Sequence, residues 1–135
     1  MTKFLTSVAF AAGLSMAAPA LALTPLHQEK TVVSMFYAIG LADEVRKNCP
    51  SISPRMIRAY TYLKSIERYA RKAGYSEDQI RALVEDRAEK ERLRARIRAD
   101  LAKRGVKQGN PEGYCKVGLE EIAADTAAGR LLSAN

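Results

Sequence analysis

The first 22 residues of this 135-residue chain decide how much of it can fold and where it folds. Lys3 supplies a positive charge, Phe4–Ala12 is a short apolar run, Pro19 breaks the helix, and Ala20-Leu21-Ala22 is a small-x-small cleavage pattern. That order of parts reads as a secretory signal. A membrane anchor would need about 20 predominantly apolar residues in succession. Here Thr6, Ser7, Gly13, Ser15 and Pro19 interrupt the run, and no cysteine follows it to carry a lipid. The expected mature chain is therefore residues 23–135, a single domain. Losing Lys3 takes its formal net charge from +7 to +6. The compartment this predicts is the periplasm of a diderm bacterium, or the exterior of any other cell.

Export makes the two cysteines interpretable. Cys49 and Cys115 form an even pair in an oxidising compartment, so one disulfide is the leading reading. The rival is a reactive thiol or metal pair, but neither cysteine lies in a CxxC motif or beside His27. A bridge would close 66 positions and contribute on the order of 4 kcal/mol by restricting the unfolded chain.

The rest of the chain is punctuated as four helices. Val32, Met35, Phe36, Ile39 and Ala42 recur at helical spacing over Lys30–Lys47, and Cys49-Pro50 stops the run. Ser53-Pro54 has the form of an N-cap followed by a first-turn proline. It would open a second helix with Met56, Ala59, Leu63, Ile66 and Ala70 on its apolar face and Gly74 as its stop. Ser76-Glu77-Asp78-Gln79 is a capping box, from which a third helix can run to Arg104. Asn110-Pro111 starts a fourth, with Cys115, Leu119, Ile122 and Ala123 sharing a face. No period-2 run of β-branched residues predicts a strand. The expected fold is all-α: a compact bundle of about four helices with one disulfide, the bridge joining the first and fourth.

Two features stand out as candidate partner surfaces. Arg55, Arg58, Tyr62, Ser65, Tyr69 and Lys72 are spaced 3, 4, 3, 4 and 3 apart, which places them on one helix face beside the apolar one. Arg with Tyr is the composition of binding surfaces. The bland alternative is a row of tyrosines flanking the core under snorkelling arginine stems. From Glu85 to Arg98 ten of fourteen residues are charged, ending in Arg92, Arg94, Arg96 and Arg98. At about 100° per residue these four wrap the helix and do not form a flat patch. They read either as a solvated face with i,i+3 pairs or as a contact for a polyanion.

Little suggests catalysis. Asp43-Glu44, Glu77-Asp78, Glu85-Asp86 and Glu120-Glu121 are adjacent on helices, so the members of each pair do not face each other. His27 is the only histidine, and no nucleophile-elbow, zinc-protease, phosphate-loop or haem-attachment motif occurs. No enzyme activity, metal, cofactor or small-molecule ligand is predicted.

Three stretches carry a resemblance: Ala42-Asp43-Glu44-Val45-Arg46-Lys47-Asn48-Cys49; Lys72-Ala73-Gly74-Tyr75-Ser76 with Glu89-Lys90-Glu91-Arg92 behind it; and Tyr114-Cys115-Lys116-Val117-Gly118 leading to Glu121-Ile122. The ending Gly129-Arg130-Leu131-Leu132 fits as well. Together they resemble a family of small exported alphaproteobacterial proteins classed only as a domain of unknown function. The resemblance implies export, a bacterial source and the disulfide, and it supplies no catalytic residue.

The function these readings predict is a non-enzymatic exported interaction protein. It would dock on an acidic protein, for instance as an accessory subunit of an inner-membrane assembly, or peripherally on an anionic membrane face. The alternatives are a periplasmic stress chaperone or inhibitor, and an enzyme of unrecognised type. Export argues against a nucleic-acid partner despite the charge.

Overall fold

The computed structural model describes residues 22–135. The signal reading of Met1–Ala22 thus lies outside the described residues, Ala22 excepted. A 3-10 turn, Leu26–Gln28, leads into helix α1, Lys30–Asn48. Strand β1, Ile52–Pro54, then precedes α2, Met56–Lys72; α3, Glu77–Glu85; α4, Arg87–Lys103; and α5, Pro111–Ala123. A second 3-10 turn, Gly129–Leu131, runs into strand β2, Leu132–Ala134. The all-α class holds, with five helices among the described residues where four were expected, and one small sheet.

The extra helix comes from a single residue. The run expected from Ser76 to Arg104 is broken at Asp86, which is extended (φ −70°, ψ 104°). Its carboxylate accepts the Glu89 N–H at 3.0 Å. A short acid that can bond its own downstream backbone competes with the helix and becomes a cap. The break lets Ile80 face one part of the core while Ile97 and Leu101 face another.

The start expected at Ser53-Pro54 is also displaced. These residues belong to β1, which pairs antiparallel with β2 in the register Ile52↔Ala134, Ser53↔Ser133 and Pro54↔Leu132. Helix α2 begins only after Arg55, whose N–H donates to Leu131 O at 2.8 Å. Three-residue strands held by a partner almost 80 positions away leave no period-2 signature to read. The other caps are where the sequence places them. Ser76 and Gln79 close the capping box, Asn110 caps α5, and Gly74 stops α2 at φ 98°.

Two clusters make the core. The larger packs Leu41, Ala42 and Val45 of α1 against Ile97 and Leu101 of α4, Tyr114 and Val117 of α5, and the closing Leu131-Leu132. The smaller gathers Leu26, Val32, Ile66, Ala70, Tyr75 and Ile80. Tyr62 and Ile39 pack against both. The face expected for α5 is rotated: Leu119 is half exposed, while Tyr114, Val117 and Gly118 are buried. Gly118 explains the rotation, because any Cβ there would collide with Ile52 and Val45. A residue with no side chain lets α5 lie close on α1 and carries no hydropathy signal.

Cys49 and Cys115 are bridged, with their Cα atoms 5.0 Å apart. The bond joins the end of α1 to the start of α5, two helices already packed on each other. Helices α2 and α3 belong mainly to the smaller cluster, beyond the bridged pair. No helix among the described residues is long and apolar enough to cross a membrane.

Candidate functional site

The stripe on α2 divides by role. Arg55 is committed to the fold, since its Nε donates to Leu132 O at 2.9 Å and its backbone holds Leu131. Tyr69 is committed as well: its hydroxyl donates at 3.3 Å to Glu29, the residue whose other carboxylate oxygen caps α1 at Val32 N. Ser65 donates to Tyr62 O at 2.6 Å, and Lys72 is exposed. Arg58 reaches Arg130 O at 3.5 Å. Burial raises the Tyr62 hydroxyl pKa above its ordinary value, with the Arg130 charge pulling slightly the other way.

What the stripe does build is an open groove of about 500 Å³ between α2 and the chain end. Ile57, Arg58, Thr61, Tyr62 and Ser65 form one wall, and Ala127, Arg130 and Leu131 the other. Helix α2 also carries the most exposed large apolar side chains of the described residues, Ile57 at 85 %, Met56 at 67 % and Tyr60 at 64 %, of which Ile57 lines the groove. Sequence reasoning missed these three and Arg130. The sign for Ile57 was present: it lies nine residues before buried Ile66, which is half a turn away on a helix of about 100° per residue. Met56 was assigned to the core face and points outward instead.

Helix α4 treats its arginines differently. Arg92 pairs with Glu89, Arg94 with Glu91 at 3.7 Å, and Arg98 with Glu44 at 3.5 Å and Glu91 at 3.8 Å. Arg96 lies over the Tyr37 ring, 5.3 Å from its centroid. Each of the four thus has an intramolecular partner, which favours the solvated-face reading of this helix. Individual exposed pairs of this kind are worth roughly 0–1 kcal/mol.

Three of the four acidic pairs are likewise tied to cations and not to each other. Asp43 binds Arg46 and Lys47 at 2.6 and 2.5 Å. Glu77 meets Arg71, and Glu120 and Glu121 take the two ends of the Arg104 guanidinium at 2.9 and 2.6 Å. Among the described residues no group of three His, Cys, Asp or Glu side chains could hold a metal ion.

The model of a family of unknown function, DUF5333, matches residues 24–133. The chain belongs to this family. No curated protein and no solved structure matches it. Nearly all of the described structure is thus the DUF5333 domain, from the lead into the 3-10 turn through β2. The two cysteines, the α2 groove and the paired arginines of α4 all lie inside it.

Proposed function

We propose that this DUF5333 protein is an exported, non-enzymatic interaction protein that docks on an acidic partner through the α2 face. The observation that carries the reading is the exposed trio Met56, Ile57 and Tyr60 on α2, the helix whose Ile57 and Arg58 line a groove together with Arg130. Apolar side chains of this size, exposed next to cations that lack a carboxylate partner or hold one at 4.0 Å, are the composition of a contact surface. A partner segment bearing acids and one apolar anchor would complement it. One concrete form is an accessory subunit on the periplasmic side of an inner-membrane assembly.

Export rests on the signal pattern over Met1–Ala22, on the disulfide, and on the resemblance to small exported alphaproteobacterial proteins. The intact mass of the protein recovered from its host, without reductant, tests it. Cleavage after Ala22 with two hydrogens lost to the bridge is expected, and an unprocessed or reduced product would contradict it. Docking is tested by placing a photocrosslinking amino acid at position 57 or at position 90 in living cells. A discrete adduct from 57 and none from 90 is expected, and adducts equal at both positions would refute the α2 face.

A further inference from the structure

We infer that the α2 groove is a carboxylate pocket, in which Arg58, Arg130 and the Tyr62 hydroxyl take an acidic side chain from an extended segment of the partner. The inference rests on the docking reading above and names what that surface recognises.

The hydroxyl groups of the groove are unequal. Thr61 Oγ1 donates to Ile57 O at 2.9 Å and Ser65 Oγ to Tyr62 O at 2.6 Å, so both hydrogens are spent on carbonyls of their own helix. The Tyr62 hydroxyl has no hydrogen-bond partner among the described residues. No fully enclosed side-chain nitrogen or oxygen lacks a partner, so this hydroxyl is accessible, and Tyr62 lines the groove. Burial holds its pKa above the ordinary value, and the Arg130 charge lies close enough to pull the other way. At neutral pH it is a protonated donor beside a cation.

The cations are loosely held. Arg58 makes one contact, from Nη1 to Arg130 O at 3.5 Å. Arg130 Nε lies 4.0 Å from Asp125, a carboxylate whose side chain is 77 % exposed. An exposed pair at that separation contributes little. None of the residues lining the groove is acidic. The cleft beside the disulfide is the opposite case: Lys47, Arg94 and Arg98 line it, but Asp43, Glu91 and Glu44 already match them.

These groups specify the occupant. Two guanidinium groups and a phenol with its hydrogen free are donors, and a carboxylate accepts on both oxygens while cancelling charge. The rest of the lining includes Ile57, Ala127 and Leu131, so an aliphatic residue next to the acid finds an apolar wall. A volume of about 500 Å³ leaves room for both side chains.

The test uses the oxidised, processed protein and a peptide of alternating leucine and glutamate, with fluorescein at its amino end and an amide at its carboxyl end, read by anisotropy. Replacing the glutamates by glutamine should weaken binding by about tenfold or more. Against Arg58→Gln or Arg130→Gln the two peptides should differ by less than about threefold, as contacting partners couple. Tyr62→Phe keeps the ring and should weaken the glutamate peptide about threefold. Lys90→Gln, a remote exposed cation, should change neither peptide, and circular dichroism checks the fold of each variant. Binding of neither peptide, equal binding of both by the wild type, or an undiminished glutamate preference in both arginine variants would overturn the inference. So would flotation with phosphatidylglycerol vesicles that depends on Arg58 and Arg130 while the peptide stays unbound, which would give the groove to a lipid surface. An adduct from position 57 in cells alongside any of these results would retain docking and remove only the carboxylate pocket.

Discussion

The two sides of this molecule handle apolar surface and charge in opposite ways. On the side built from α1, α4 and α5, the core is crosslinked and the surface arginines are paired at home. Ile97 and Val45 are fully buried, Cys49 and Cys115 are bonded, and every arginine from Arg92 to Arg98 faces a carboxylate or a ring. On the α2 side no covalent bond ties the helix down, and Ile57 stands 85 % exposed beside Arg58. The difference teaches that the density of basic residues along the sequence is a poor guide to which cations the fold leaves without a partner. Each arginine from Arg92 to Arg98 has an intramolecular partner, whereas Arg58 has no carboxylate partner among the described residues.

If that contrast is right, stability should reside on the first side and recognition on the second. The largest effect should follow replacement of Cys49 and Cys115 together by serine. Opening a closure of 66 residues should cost about 4 kcal/mol, read as a lower midpoint in denaturant. A loss below about 1 kcal/mol would show that the bridge does not anchor this side. Next, Ile97→Ala should cost about 3 kcal/mol, because the side chain is wholly buried at the α1–α4 seam. Ile57→Ala should change stability by no more than about 0.5 kcal/mol. Comparable losses from these two isoleucines would erase the contrast. Gly118→Ala should cost about 2 kcal/mol by overpacking against Ile52 and Val45.

The smallest effect concerns Tyr37, whose hydroxyl donates to Asp100 at 2.9 Å across the α1–α4 seam. Burial, and then that bond, push Tyr37 up to about 12. The same bond is the main cause holding the Asp100 carboxyl below its usual range. A group with a depressed folded pKa contributes stability above the ordinary carboxylate range and loses it as pH falls through the folded value. Tyr37→Phe should therefore move the Asp100 titration upward, as followed by carboxyl NMR, and slightly reduce stability at neutral pH but not in acid. An unchanged Asp100 titration would assign the depression to Lys103 and Arg96 instead.

The parts of the fold legible in the sequence were those with local causes. The Ser76–Gln79 capping box, Asn110-Pro111 and Gly74 each act through their own backbone, and each is in place. The cysteine pair was legible because composition and the signal-like pattern before it left few other uses for it. What could not be read depends on distant partners. Ser53-Pro54 has the form of a helix start until Leu132–Ala134 claims it as a strand. Gly118 contributes to the core by having no side chain, and Asp86 breaks a helix whose charge pattern runs on through it. The candidate surface was half legible. Spacing placed Arg58 and Tyr62 together, but Arg55 and Tyr69 on the same stripe are spent on the chain's own termini, and Arg130 reaches the groove only through the fold.

The central claim, that recognition belongs to the α2 face and not to the arginines of α4, is tested most directly by native co-purification from solubilised host membranes. Three forms should be compared: the wild type, Ile57→Ser with Arg58→Glu, and Arg92→Gln with Arg96→Gln. The wild type and the α4 double variant should bring down the same species, and the α2 double variant should emerge alone. Loss of that species in the α4 variant with its retention in the α2 variant, or recovery of all three forms only as free monomer, would contradict it.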